Sequence, residues 1–224
     1  MNLLHTLSAQ PQPQPTASRT TPVVFVVDSD AAVRSTLEPL IRSAGHEVRL
    51  IASAEAFLAQ PREMLPGCLL VELELPGLSG LDLQRRVFDR AELPIIFMSG
   101  NVDIPTTVRA MKGGAFEFLT KPVRREVLLD AIAGAIERSH AALRHMNQVH
   151  ALQQRYGSLS RREREVMSLV VSGRLNKQVG GDLGISEITV KAHRGKMMRK
   201  MRASSFAELV TMAASLRSDA HMSA

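Results

Sequence analysis

Apolar and polar positions alternate along this chain with two different periods, and the change of period divides it. From residue 22 to about 122, short apolar runs are separated by helical patterns. VVFVV (23–27) is an unbroken apolar run, all valine but for Phe25, fit for a strand buried on both faces. EVRLI (47–51), CLLVEL (68–73), PIIFMS (94–99) and FEFLT (116–120) predict four more strands. Between them lies AAVRSTLEPLIRSA, with Asp30 as its cap and Gly45 at its end. A short helix around 54–59 and helices over about 81–89 and 104–111 follow, and helix resumes at Arg124. Five strands alternating with five helices predict an α/β doubly wound, five-stranded parallel sheet. Such sheets bind ligands at the carboxyl ends of their strands. Those ends carry Asp28, Glu72, Ser99 and Lys121.

The second half shows the helical period alone. Between Arg124 and Tyr156 there is no proline and a single glycine, Gly134, and Leu129, Ile132, Ile136, Leu143 and Met146, with Ser139 and His150 in the same register, keep a 3-4 spacing. Two readings fit: one long helix with a weak coiled-coil seam, or a domain helix that breaks near Ser139 into a looser linker. Ser160 with Glu163 has the spacing of a capping box and opens a helix to about Ser172, which Gly173 ends. Asn176 is placed to cap KQVGGDL, closed by Gly184; Ser186 caps EITVKAHRGKMMRKM; Ser204 caps a last helix over about 206–216. Val166, Leu169, Val170, Val179, Leu183, Ile185, Val190 and Met197 supply one small core. The prediction is a small all-α four-helix domain built around a helix-turn-helix. The expected division is a disordered Pro/Gln-rich tail (1–21), the α/β domain (22–138), a helical linker (139–157) and the helix-turn-helix domain (158–218).

Charge sharpens this division. The net charge is +6, yet residues 22–122 hold 10 Lys/Arg against 13 Asp/Glu, while residues 157–224 hold 12 against 6. An acidic half followed by a basic tail domain points to a polyanion as the tail's partner. The single cysteine, Cys68, lies in the apolar run CLLV and reads as buried filler. No apolar run approaches the roughly 20 residues that span a bilayer. MNLLHTLSAQ has no basic n-region, so the cytoplasm is the expected location. His140, His145 and His150 recur at five-residue steps, about 140° apart on a helix, and so share no metal-binding face.

LSRREREV (159–166), NKQV (176–179), ISEITVKAH (185–193) and MRKM (198–201) resemble the LuxR-type C-terminal domain of the NarL/FixJ subfamily of response regulators. The resemblance implies that the third helix of this domain enters the major groove of double-stranded DNA, with Lys191, Ala192 and Gly195 facing the bases. Lys191 then donates to a guanine edge and Ala192 meets a thymine methyl. Arg194 and Lys196 flank them, and Thr189, His193, Arg199 and Lys177 are placed for phosphates, which set register rather than sequence. Two departures stand out. Gly180 and Gly181 each cost roughly 1 kcal/mol relative to Ala inside a helix. Gly195 removes a side chain from the reading face.

LPGLSG (75–80), MSGN (98–101) and TKP (120–122) resemble the receiver domain of the same regulators over roughly residues 22–138. The resemblance gives Ser99 the place of the switch hydroxyl, Phe118 that of the switch aromatic and Lys121 that of the charge-neutralising lysine. It implies an aspartate phosphoacceptor and a magnesium ion held by that aspartate, by two acids after the first strand and by a backbone carbonyl. Here Asp28 fills the first acidic position, Ser29 the second, and Glu72 the phosphoacceptor position. One formal charge is lost and another carboxylate moves out by one methylene. Magnesium demands near-ideal octahedral oxygen ligation, so Asp28 is expected to anchor a weak or absent magnesium site, with no other cofactor. Glu74 reads as a solvated side chain. Glu72 reads as a partial phosphomimic that pairs with Lys121 and draws in the Ser99 hydroxyl. The family's receiver dimer face falls on Val108, Met111, Lys112, Glu117 and Val127.

The expectation is a sequence-specific DNA-binding transcription regulator, not an enzyme, acting as a homodimer on DNA. A histidine kinase and RNA polymerase are further partners. Two alternatives remain: a conventional phosphorelay regulator phosphorylated on Glu72 or elsewhere, and a non-enzymatic protein-interaction adaptor. A hydrolase on the α/β domain lacks its nucleophile elbow, because GLSG (77–80) sets Ser79 one residue short of the G-x-S-x-G spacing.

Overall fold

The computed structural model describes residues 20–101 and 103–222, with side chains as far as Arg217. The disordered tail expected over 1–21 lies outside them apart from Thr20 and Thr21. In chain order the elements are β1 (Val23–Val27), α1 (Ala31–Ser43), β2 (Glu47–Ile51), α2 (Ala54–Leu58), β3 (Gly67–Glu72), α3 (Gly80–Arg86) and β4 (Ile95–Ser99). Then come α4 (Ile104–Lys112), β5 (Glu117–Thr120), α5 (Arg125–Gly157), α6 (Arg161–Val171), α7 (Asn176–Leu183), α8 (Glu187–Met201) and α9 (Phe206–Met222). Two compact units divide within α5, between Leu143 and Arg144.

The first unit is a parallel sheet in the order β2-β1-β3-β4-β5. The three unbroken apolar runs take its centre, where both faces are covered, and β1, β3 and β4 are buried throughout. Their side chains alternate between two cores. Phe25, Val27, Leu69, Val71 and Phe97 pack with Phe57, Leu83 and Val87 on one side. Val24, Val26, Leu70, Ile96 and Met98 pack with Ile41 of α1 and Leu128, Ile132 and Ile136 of α5 on the other. Cys68 belongs to this second core, and burial pushes its thiol up to about 12.

The choice left open at Ser139 is decided by packing. α5 runs unbroken from Arg125 to Gly157. Ser139 is fully buried on it, accepting from the Gly67 amide at 3.0 Å and donating to the Glu92 carbonyl at 2.5 Å. It pins the helix to the amino end of β3 instead of breaking it. Val127, expected on an exposed dimer face, instead packs against the second core.

The second unit is all α. The Ser160–Glu163 capping box forms: the Ser160 hydroxyl accepts from the Glu163 amide, and the Glu163 carboxylate accepts from the Ser160 amide at 2.8 Å. The buried Glu163 carboxylate also receives Lys200 of α8 at 2.6 Å. That bond, opposed by burial and aided by the Ser160 amide, holds its pKa below the ordinary glutamate value. Two caps differ from expectation. At α7 the Leu175 amide donates to Gln178 Oε1 at 2.9 Å, while the Asn176 carboxamide is taken by Arg194. At α9 Ser205, not Ser204, accepts from the Glu208 amide; Ser204 gives its amide and hydroxyl to the Glu208 carboxylate. Leu159, Val166, Val170, Val179, Val190, Met197, Met201 and Leu209 form the core of this unit. Gly180 has a structural reason to be there: a Cβ on it would stand 2.7 Å from the Ile185 carbonyl oxygen, where the chain turns between α7 and α8. A Cβ on Gly181 would meet open space.

Candidate functional site

Parallel register brings the receiver pocket together. Val27 of β1 lies opposite Val71 of β3, so the next residues, Asp28 just past β1 and Glu72 at the end of β3, stand side by side. Ser99 ends the neighbouring β4 opposite Thr120 of β5, and Lys121 follows. The Lys121–Pro122 peptide is cis. Lys121 Nζ donates to Asp28 Oδ2 at 2.9 Å and also to Glu72 Oε2. Asp28 is 2 % exposed, and its other oxygen accepts from the Asp30 amide at 2.8 Å. Glu72 is also buried and accepts from the Glu74 amide at 3.2 Å. Burial works against the lysine charge. Hydrogen bonds and the negative charge of Glu72 and Asp28 outweigh it and hold the ammonium above the ordinary lysine value.

The expected capture of the Ser99 hydroxyl by Glu72 does not occur. Ser99 Oγ donates its only proton to the Asn101 carbonyl at 2.9 Å and accepts from the Asn101 amide at 3.3 Å. Phe118 lies inward, its ring 6.2 Å from that of Phe97. Glu74 is exposed, as expected.

The two carboxylates of the pocket both face the Lys121 ammonium, and Ser29, at the second acidic position, is an exposed neutral side chain. Among the described residues no group of three His, Cys, Asp or Glu side chains is arranged to hold a metal. A hard dication needs those same oxygens free.

In the second unit α7 and α8 meet at the turn closed by Gly184, whose φ is +66°. Val190, Met197 and Met201 hold α8 to the core. Lys191, Ala192, Lys196 and Arg199 are exposed on α8, and Lys177 is exposed on α7. Lys191 pairs with Glu187 at 3.2 Å, one turn earlier. Thr189 is bonded to the Ser186 cap. His193 is half-buried with its Nδ1 unpartnered, and Gly195 is half-buried. Arg194 is turned into the unit: it donates to Asn176 Oδ1 at 2.6 Å, and its guanidinium lies 5.3 Å from the centre of the Phe206 ring. It ties α8 to α7 and α9. The family resemblance placed it beside the base-reading residues as a DNA-binding cation, but its partners come from two other helices.

Comparison with known proteins agrees with both halves. Residues 24–133 match the response regulator receiver domain family, and residues 157–213 match the LuxR family of bacterial regulatory proteins. The chain is 46 % identical to nodulation protein W of Bradyrhizobium diazoefficiens, over 90 % of this chain and 89 % of that one. It is 39 % identical to the transcriptional regulatory protein FixJ of Rhizobium meliloti, over 85 % and 94 %. Among solved structures, the response regulator StyR is similar at 42 % identity and a TM-score of 0.77, covering 87 % of this chain and 99 % of that one. No described helix is long and apolar enough to cross a membrane. The receiver family implies a kinase as input partner, and the LuxR-type domain implies DNA as output partner. The chain belongs to the response regulators that join a receiver domain to a LuxR-type DNA-binding domain, and is a transcription regulator rather than an enzyme.

Proposed function

We propose that the receiver of this regulator is set by its own ion pair instead of by aspartyl phosphate and magnesium. The observation that carries this is Lys121 bonded to both Glu72 and Asp28. The lysine that neutralises a phosphoryl group in the family already has its counter-charge. The Ser99 hydroxyl is engaged with Asn101, so the mimicry is half complete. A carboxylate also carries one charge and two oxygens against nearly two charges and three oxygens for a phosphate. Shifting an equilibrium from 1:99 to 99:1 takes about 5.5 kcal/mol, more than one ion pair supplies. Either the resting equilibrium is already near balance, so that the ion pair tips it, or control has passed to protein abundance or a partner.

On the output side, α8 enters the major groove, Lys191 and Ala192 read base edges, and Lys177, Thr189, His193, Lys196 and Arg199 meet phosphates. Arg194 is a positioning residue. The regulator binds as a homodimer, for which the exposed α4 stripe of Ile104, Val108 and Met111 offers an apolar face. Its place of action is the cytoplasm, where RNA polymerase responds to its occupancy of DNA.

The test compares wild type, Glu72→Gln and Glu72→Asp for DNA binding, with and without a small phosphodonor and magnesium. Wild type should bind without donor and ignore it. Glu72→Gln should bind more weakly, and Glu72→Asp should gain donor dependence. A donor-dependent gain in wild type would return it to the conventional phosphorelay. Equal binding by wild type and Glu72→Gln would reduce the receiver to a scaffold.

A further inference from the structure

We propose that Ile188 is a specificity-determining residue that reads the methyl group of one thymine in each half-site. This rests on the reading above that α8 lies in the major groove. Ile188 is the second residue of α8 and is 79 % exposed. Successive helical residues are rotated by about 100°. Val190, Met197 and Met201, the buried residues of α8, therefore cluster on one side, and Ile188 lies roughly opposite them. It has no route into the core of its own unit.

Its neighbours on that outer stripe are Lys191, Ala192, Gly195 and Arg199, at three, four, seven and eleven residues further on. Each is basic, for a polyanion, or small, for close approach. The stripe begins with a β-branched aliphatic side chain, a poorer helix former than lysine or alanine at an exposed position. The first residues of a recognition helix are the ones that approach base edges. In the major groove, the apolar feature of a base edge is the C5 methyl of thymine. A side chain without donor or acceptor gains from that methyl. Pressed against a cytosine amino group, it would leave a donor unpaired and desolvated. Ile188 thus extends the reading face by one turn before Lys191 and adds a second, larger apolar contact to that of Ala192.

The experiment uses the full chain and selection from a random duplex library, with wild type, Ile188→Val, Ile188→Ser and Lys191→Ala. Wild type and Ile188→Val should select a thymine at one position of each half-site, and Ile188→Ser should lose that preference. Replacing this thymine by deoxyuridine in the selected duplex removes the methyl alone. Wild type should then bind about 3- to 5-fold more weakly per half-site, while Ile188→Ser should not respond. Identical selected sequences for wild type and Ile188→Ser, or an equal response to deoxyuridine, would overturn the inference. Unchanged DNA binding with lost transcription in Ile188→Ser would place the residue against a protein and overturn it too. Lys191→Ala separates the two levels. If it also leaves selection unchanged, α8 is not in the groove. If it relaxes selection while Ile188→Ser does not, only the thymine contact fails.

Discussion

At the scale of single residues, the receiver pocket turns on Lys121. Its ammonium stands between two buried carboxylates, and each carboxylate keeps one main-chain donor besides it. Replacing Lys121 by Met would leave Asp28 and Glu72 adjacent and without counter-charge. With the lysine about a quarter exposed, the expected loss is about 2–4 kcal/mol. Urea unfolding measures it, and Glu72→Gln in the same chain should recover part of the loss, because one facing charge is then gone. The pH dependence has a definite sign. A lysine pKa raised on folding contributes stability that is full below the ordinary value of 10.5 and is lost as pH rises through the folded value. The difference in stability between wild type and Glu72→Gln should therefore be constant through neutral pH and shrink in alkali above that value. A difference that varies between pH 6 and 8 would assign it to another group.

At the scale of elements, two adjacent glycines of α7 behave in opposite ways. A Cβ on Gly180 would collide with the Ile185 carbonyl oxygen, a backbone atom that cannot step aside without moving the turn into α8. Gly180→Ala should cost about 1–3 kcal/mol and weaken DNA binding with it. Gly181 is helical and faces open space, so Gly181→Ala should stabilise the unit by about 0.5–1 kcal/mol. Thermal melting of the two variants reads both signs, and a stabilised Gly180→Ala would refute the close approach. Helix propensity alone assigns the same cost to both glycines; only the turn after α7 tells them apart. The caps follow the same logic. Residue type correctly marked Ser160 and Ser186, while Asn176 was claimed by Arg194 and Ser205 took the cap from its neighbour Ser204.

At the scale of the whole molecule, the proposed homodimer needs a face. Ile104, Val108 and Met111 expose an apolar stripe on α4, and Ile104 at 80 % is the most exposed of them. Periodicity could not single out that stripe, because an exposed apolar face and a buried one have the same spacing. Val108→Glu sits on the surface and should leave the receiver folded. It should shift the full chain toward monomer in sedimentation at micromolar concentration and lower affinity for an inverted repeat about 10- to 100-fold, since the two half-sites then bind independently. A dimer that survives Val108→Glu unchanged would move the interface elsewhere.

By itself the sequence determined the division into an acidic α/β half and a basic helical half, the five strands and the burial of the first, and the residues at the strand ends. These rest on local period, turn chemistry and composition, which act over a few residues. It also marked the replaced phosphoacceptor and the lost acid, since a residue type at a motif position is legible without coordinates. Tertiary structure alone decided that Lys121, expected to pair with Glu72, also takes Asp28, and that Ser99 turns to Asn101. The carboxylates, the lysine and the hydroxyl come from different strand ends, and which of them meet depends on rotamers and competing main-chain partners. It likewise decided that α5 passes Ser139 without a break, because the Gly67 amide and the Glu92 carbonyl that hold this serine are 72 and 47 residues away. It showed that Arg194 faces inward and Ile188 outward, since helix phase becomes burial only once the neighbouring helices are in place.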